Sequence, residues 1–305
     1  MFFYKESVKH RWRMSSTMVV GGLFKLDKNI WAIHDNFQHH TWGKFIDETF
    51  GGQPCLWHGG RILSYDLHLE DYDKVKQSIS GYTVRGIGCK LNFSAPDAGE
   101  FLDDEPSNIL LDILAECNAN GNHGVIVSDN RLRDYIRNRY PELKITASIL
   151  KPLFEHPEMT DTPEYYNELS ESYDYVVVRQ DRNVEMGFLE KLRHKHKIEL
   201  LVNSRCAPKC MYQALHYATG INIGRSIYGI APEDRANVFA VKSTCRSRQA
   251  NNFPMYIPPF RVDWLQEAGF TRFKLEGREL EWGEWCEHNL PYLAKPSFMS
   301  ISLFN

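Results

Sequence analysis

From about residue 80 onwards, the sequence alternates between short apolar segments and amphipathic segments, and this alternation most constrains the fold. Strands are predicted at residues 82–93, 123–129, 144–150, 173–181, 197–204, 237–245 and 270–279. Helices are predicted between them, at residues 106–121, 130–143, 165–172, 184–196 and 262–269. Parallel strands joined by helices of this length form right-handed crossovers. The pattern therefore predicts an α/β fold.

The first eighty residues carry a weaker pattern, in which we predict strands at IWAIHDNF (30–37) and GRILSYDL (60–67). Together these segments give around eight strands, which favours a single (β/α)8-type, TIM-like barrel with an irregular N-terminal part over an open sheet. No G-x-G-x-x-G motif lies on a strand-to-helix turn, which argues against dinucleotide binding. We predict an N-terminal arm at 1–20 and one barrel domain at 21–305.

Charge and composition indicate which partners and which cellular compartment to expect. The formal net charge of −3 gives no overall electrostatic reason to expect binding to nucleic acid or to a membrane surface. The sequence has no long apolar run of membrane-spanning length, and its first twenty residues are too charged for a signal peptide. We therefore expect a cytoplasmic protein without a membrane partner. In a reducing compartment its seven cysteines are expected to be free, catalytic or metal-binding.

Polar side chains follow several of the predicted strands, and a barrel collects its chemistry at the carboxyl ends of its strands. The candidates are Asn92, Ser94, Asp129, Asn130, Arg179, Gln180, Asp181, Asn203, Lys274, Glu276 and Arg278. Lys274, Glu276 and Arg278 alternate along one strand, so they share a face that could clamp an anionic substrate. The alternative is a solvated edge with an internal ion pair. Arg179 and Asp181 fit either a site or a salt bridge within a loop.

Two cysteines, Cys206 and Cys210, stand in CAPKC directly after the predicted strand 197–204, and Cys245 and Cys286 follow later. Four thiolates suit zinc or an iron–sulfur cluster. The segment from Arg235 to Arg261 contains basic residues and no acid, which would favour thiolates or an anionic ligand. The alternative is that these cysteines are ordinary buried residues.

Two other functions, radical SAM chemistry and cysteine-dependent hydrolysis, fit the segment around CAPKC less well. The radical SAM pattern needs a third cysteine three positions after the second, where this chain has Gln213. A cysteine hydrolase needs a histidine base, and His216 is the nearest, but no acid is placed to orient it.

The segments VNSRCAPKCMYQALHY and FKLEGRE resemble those of the peptidase U32 family, as does the helix VDWLQEAG before GFTRFKLEGR. The resemblance spans roughly residues 80 to 280. It implies a barrel, and it implies relatives that take part in oxygen-independent or prephenate-dependent hydroxylation of transfer RNA, ribosomal RNA or the ubiquinone ring. Such proteins hold a 4Fe-4S cluster on four cysteines.

Transferred residue by residue, the resemblance places Cys206 and Cys210 in the cysteine-bearing loop of the family. It also matches Cys245 to a later family cysteine. We predict Cys286 as the fourth ligand, with Cys89 as the reserve candidate because GIGCKLNFS ends a strand.

The leading hypothesis is therefore an iron–sulfur enzyme that hydroxylates or otherwise oxidises a nucleic acid base or a small aromatic metabolite. Lys274, Glu276 and Arg278 would shape its substrate site, together with Arg179 and Asp181. Two alternatives remain: a U32-type peptidase or hydrolase with zinc or no metal, and a non-catalytic scaffold with a structural metal site. A partner subunit or a homo-oligomer is compatible with each of the three.

Overall fold

The computed structural model describes residues 15–36, 45–59, 71–210, 212–226, 256–278 and 280–295. These residues form eight strands: β1 (Thr17–Gly21), β2 (Glu48–Gly51), β3 (Gly88–Phe93), β4 (Gly124–Val127), β5 (Lys144–Ala147), β6 (Tyr175–Val177), β7 (Ile198–Leu201) and β8 (Arg272–Leu275). The strands pair in chain order and in parallel, and β8 pairs with β1 to close the barrel. The predicted TIM-like (β/α)8 barrel is thereby confirmed.

The helices lie between the strands along the chain. In the described residues they are α1 (Asp27–Asn36), α2 (Tyr72–Thr83), α3 (Glu105–Glu116), α4 (Asn130–Arg139), α5 (Leu150–Glu155), α6 (Pro163–Ser172), α7 (Met186–Leu189), α8 (Gln213–Ser226), α9 (Val262–Glu267) and α10 (Trp282–Leu293). None of them has both the length and the apolar character needed to cross a lipid bilayer.

Polar residues at the loop-to-helix junctions start several of these helices. The Asp104 carboxylate accepts a hydrogen bond from the Ser107 N–H at the start of α3, and Asp129 accepts one from the Arg131 N–H at the start of α4. These contacts satisfy N–H groups that have no partner within the helix. Asp129, which stood among the polar candidates at strand ends, therefore acts as a helix cap.

The N-terminal part differs most from the prediction. The segment 30–37 was predicted as a strand, but residues 30–36 belong to α1, because Ile30 and Ile33 are spaced to bury one helical face. The barrel instead uses β1 and β2, which are too short to show a clear pattern. β1 starts at Thr17, so the predicted boundary at residue 20 comes too late. The predicted strands 60–67 and 237–245 lie outside the described residues.

Some boundaries further along the chain also shift. The predicted strand 82–93 begins too early, because α2 continues to Thr83 and β3 starts only at Gly88. The predicted helix 184–196 shrinks to the four residues of α7, with short 3-10 turns on either side. Both differences lengthen the connections that lead into the amino ends of β3 and β7.

Each strand presents one face to the helices and the other to the barrel interior. The outward face is mostly apolar: Cys89, Leu91 and Phe93 of β3, for example, belong to the large core between the strands and the helices, although Thr49 of β2 is polar. The inward face carries a small apolar cluster of Val19, Phe50 and Ile126. Charged residues occupy much of the remaining interior, although branched apolar residues usually fill such barrels.

Helix α10 covers the seam where β8 meets β1. Trp285 is fully buried, and its indole Nε1 donates a hydrogen bond to the Gly21 carbonyl oxygen at 2.8 Å. Its ring stacks on Trp282, with ring centroids 5.1 Å apart. The helix thereby fixes the end of β1 beside the segment that follows β8.

Candidate functional site

The carboxyl ends of the strands surround an opening, which we call the mouth pocket. Its empty volume is about 620 Å³, part of it open to solvent. The pocket is lined by Phe50, Asn92, Ser94, Ile126, Ser148, Ile149, Leu150, Val177, Leu201, Tyr217, Lys274, Glu276, Gly277 and Arg278. An apolar wall with a few polar and charged groups is typical of a small-molecule site. The position at the carboxyl end of the barrel is the one used by enzymes of this fold.

The stretch KLEGR (274–278) contributes four residues to this wall. Lys274 is the last inward-facing residue of β8, and its ammonium nitrogen lies 4.1 Å from the centre of the Phe50 ring. Glu276 follows the strand, and its N–H donates to Asn203 Oδ1 at 2.7 Å. Arg278 then completes the rim. Lys274, Glu276 and Arg278, which were predicted to share a face, therefore line one pocket together.

The backbone conformation at position 277 explains why this stretch contains a glycine. Its φ is +135°, a conformation that side chains disfavour. A Cβ atom there would also lie 2.9 Å from Asn289 Nδ2 and 3.1 Å from Trp285 Cδ1. The glycine lets the chain turn tightly over α10 and brings Arg278 back to the pocket.

A cluster of buried charges, the interior ion cluster, lies beneath the pocket. Glu199 is its centre: its carboxylate lies 3.0 Å from Lys274 Nζ and 3.3 Å from Arg272 Nη2. Its distance to Lys90 Nζ is 3.7 Å. Glu48 lies 2.6 Å from Lys90 and 2.7 Å from Arg272. Five charged side chains, three of them basic, therefore contact one another inside the barrel.

Burial and neighbouring charges shift the pKa values of this cluster. Desolvation opposes the charged forms of Glu199 and Glu48, but the adjacent cations outweigh it and hold both pKa values below the ordinary glutamate value. Burial acts in the opposite sense on Lys274. Desolvation and the nearby Lys90 lower its pKa, although Glu199 partly counters them.

The cysteine loop, residues 204–210, leaves β7 at the same end of the barrel. Ser204 Oγ donates to Glu276 Oε1 at 3.3 Å, and the Arg205 N–H donates to Glu276 Oε2 at 3.4 Å. Cys206 is buried and its N–H donates to Ser204 Oγ at 3.3 Å, whereas Cys210 is half-buried. Glu276 therefore joins the cysteine loop directly to the pocket wall.

Asp181 holds the far end of the cysteine loop, where its Oδ1 accepts a hydrogen bond from the Lys209 N–H at 2.6 Å. Lys209 has a φ of 50°, an uncommon conformation for a residue with a side chain. Asp181 also lies 3.5 Å from the buried Arg179, which in turn lies 3.7 Å from Asp161. Arg179 and Asp181 are not among the described residues that line the pocket; they support the loop from below.

The other predicted cluster ligands lie in different surroundings. Cys286 is on α10, half-buried against the main core, and burial raises the pKa of its thiol to about 12. Cys89 faces the helices, because its neighbour Lys90 faces the interior and adjacent strand residues alternate. Cys245 lies outside the described residues. Among the residues that are described, no three cysteine, histidine or acidic side chains are arranged to bind one metal ion.

These observations show which of the predicted cysteine ligands are placed to bind a metal cluster. Cys206 and Cys210 fit, because they share one short loop at the carboxyl end of the barrel. Cys286 fits poorly, since a ligand must give up its proton and its surroundings favour the protonated thiol. The described residues thus supply two thiols at the mouth.

His58 and four charged residues of the barrel interior lie near the pocket lining. His58 is buried, and its Nδ1 finds no hydrogen-bond partner among the described residues. Burial and the charge of Arg278 lower its pKa to about 3, so the ring is neutral. The sequence analysis missed Glu48, Lys90, Glu199 and Arg272, although single charged residues inside otherwise apolar strands were a usable signal.

The fold and the pocket define a closed parallel barrel whose candidate site lies at the carboxyl ends of its strands. No protein-family model matches the chain, and no curated protein does either. Among solved structures, the chain is similar to the U32 peptidase Mk0906, with 14% sequence identity and a TM-score of 0.52. That match covers 91% of this chain and 96% of the other. The resemblance drawn from the two motifs is therefore supported at the level of the fold.

A second solved structure, the citrate synthase SbnG, matches 97% of this chain and 95% of its own at 12% identity. Its TM-score of 0.36 indicates only a distant similarity.

Proposed function

We propose that the chain is an iron–sulfur enzyme that oxidatively modifies a ring-containing substrate held in the mouth pocket. The substrate would be a nucleic acid base or a small aromatic metabolite. The observation that carries the proposal is the pair of hydrogen bonds from the cysteine loop to Glu276, because Glu276 also lines the pocket. A cofactor on this loop would lie beside the bound substrate.

The pocket wall suits a planar substrate with polar edges. Phe50, Ile126 and Val177 offer apolar surface for the face of a ring. Asn92 and Ser94 offer polar groups, and they are fixed to each other by a hydrogen bond of 2.6 Å from the serine hydroxyl to the amide oxygen. A few fixed polar groups in an apolar pocket set the orientation of a ligand.

Arg278 would hold any acidic substituent of the substrate, since it is basic and lines the pocket. Cys206 and Cys210 would hold the cluster together with Cys245. The cluster would supply one-electron transfer beside the substrate. The protein's own part is to bind the ring, to orient it and to keep bulk water out of the lower pocket.

The first experiment is anaerobic purification, followed by an absorption spectrum and iron and sulfide analysis of the wild type and of Cys206→Ala. We expect a brown protein with about four irons per chain. The Cys206→Ala variant should lose most of its iron and its visible absorption, because the loop loses one of its ligands.

The matched control is Cys117→Ala, which removes a buried thiol at the end of α3, where it contacts Ser80 rather than the cysteine loop. This variant should keep the iron and the colour. A wild-type protein that is colourless under anaerobic conditions, with zinc or with no metal, would contradict the proposal and favour a hydrolase or a scaffold.

A further inference from the structure

The interior ion cluster contains more positive than negative charge. Lys90, Arg272 and Lys274 are basic, and only Glu48 and Glu199 oppose them within the contacts described above. An unbalanced charge is costly in a region with little water. The surplus disappears if one of the three basic groups gives up its proton.

Lys274 is the group that can do so. Arginine keeps its proton at any ordinary pH, which excludes Arg272. Lys90 is fully enclosed and lies 2.6 Å from Glu48. Among the described residues, Glu199 is the carboxylate in ion-pair contact with Lys274, and desolvation together with the charge of Lys90 lowers the pKa of this lysine. Of the three groups, it is the one that also lines the mouth pocket.

We propose that the Lys274 amine forms an imine with a small anionic aldehyde or ketone bound in the mouth pocket. A lysine becomes nucleophilic when it is desolvated and placed beside another cation, and Lys274 satisfies both conditions. Arg278, on the same pocket wall, would bind the carboxylate or phosphate of the ligand.

The reaction balances without any oxidant or reductant. The nitrogen lone pair attacks the carbonyl carbon and gives a carbinolamine, and loss of water then gives the imine. Both hydrogens of the amine leave in that water molecule. As the carbon–nitrogen bond forms, a proton passes from the nitrogen to the former carbonyl oxygen, while Glu199, 3.0 Å away, orients the nitrogen as a hydrogen-bond acceptor. The proposed imine needs only Lys274 and its surroundings in the mouth pocket, and so it does not depend on an iron–sulfur cluster.

The test uses glyoxylate, a small aldehyde with a carboxylate, and sodium cyanoborohydride, which reduces an imine to a stable amine. Peptide mass spectrometry then locates the carboxymethyl-lysine. A lower amine pKa leaves more free amine at neutral pH. We therefore expect Lys274 to react several-fold faster than the exposed Lys76, whose ion pair with Glu116 raises its pKa.

Two controls keep the result interpretable. Lys274→Arg should abolish labelling at this position and leave Lys76 unchanged. Excess malonate, which has two carboxylates and no reactive carbonyl, should slow labelling of Lys274 in the wild type and not of Lys76. The malonate experiment needs no variant, so it stands even if Lys274→Arg fails to fold. Labelling of Lys274 that is no faster than that of Lys76, or that malonate does not slow, would overturn the inference.

The same labelling on Cys206→Ala separates this inference from the proposed function. Cys206→Ala should still be labelled at Lys274 although it loses its colour, whereas labelling of Lys274 in a colourless wild-type protein would support the imine while contradicting the cluster. A brown wild-type protein without labelling at Lys274 would leave the cluster standing and exclude the imine.

Discussion

Replacing Glu199 with glutamine is expected to lower the free energy of unfolding by about 3 kcal/mol or more, because it leaves buried cations without their shared partner. Glu199 is fully buried and lies within 3.7 Å of Lys90, Arg272 and Lys274. Glutamine keeps the size and shape of the side chain, so the loss reports the charge alone. Urea unfolding followed by circular dichroism measures it.

The matched control is Glu116→Gln, the same chemical change in an ion pair at the surface. Glu116 lies 2.7 Å from Lys76, but both side chains are more than half exposed. Water and salt screen such a pair, so its removal should cost far less. Equal losses in the two variants would show that the interior cluster does not depend on the charge of Glu199.

The two glutamates of the interior ion cluster also determine how the free energy of unfolding depends on pH. Glu199 and Glu48 have folded-state pKa values below the ordinary value of 4.5. Below about pH 5 the unfolded chain therefore binds more protons than the folded one, and the free energy of unfolding falls as the pH decreases. Above that range their contribution is fully present. Glu199→Gln should make this acid-induced loss less steep than in the wild type, as pH-dependent urea titrations would show.

The fold was largely predictable, because long helices between apolar strands are a strong periodic signal. The exceptions have physical causes. β2 (Glu48–Gly51) is only four residues long and begins with a charged residue, so its sequence resembles a loop. Ile30 and Ile33 are three residues apart and share a helical face, so the strand prediction at 30–37 missed the helical period. The segment of β2 becomes a strand because it pairs with β1 and β3 in the folded barrel.

The site was predictable only in part. Lys274 of β8 and Glu276, which follows the strand, do line one pocket, and the cysteine loop leaves β7 beside them. The sequence could not show that Lys274 contacts Glu199, because the contact depends on the register in which β8 pairs with β7. Nor could it show that Cys286 faces an apolar core, since helix α10 reveals its buried side only through packing.

Replacing Trp285 with alanine is the second change with a large expected effect, a loss of about 3–5 kcal/mol in the free energy of unfolding. The side chain is fully buried, and its Nε1 hydrogen bond to the Gly21 carbonyl links α10 to the end of β1. Alanine leaves a cavity and an unpaired carbonyl oxygen. Denaturant unfolding of the wild type and the variant measures the loss directly.

Trp264 provides the control for Trp285, because it is the same residue type at 61% exposure on α9. Trp264→Ala should change the unfolding free energy little, since surface substitutions usually cost no more than about 0.5 kcal/mol. The Trp285 variant should also weaken glyoxylate labelling of Lys274, because Gly277 turns directly over the Trp285 ring and positions Arg278. A stability loss with unchanged labelling would show that α10 supports the barrel without positioning the pocket wall. Equal stability losses at Trp264 and Trp285 would contradict the role assigned to the seam between β8 and β1.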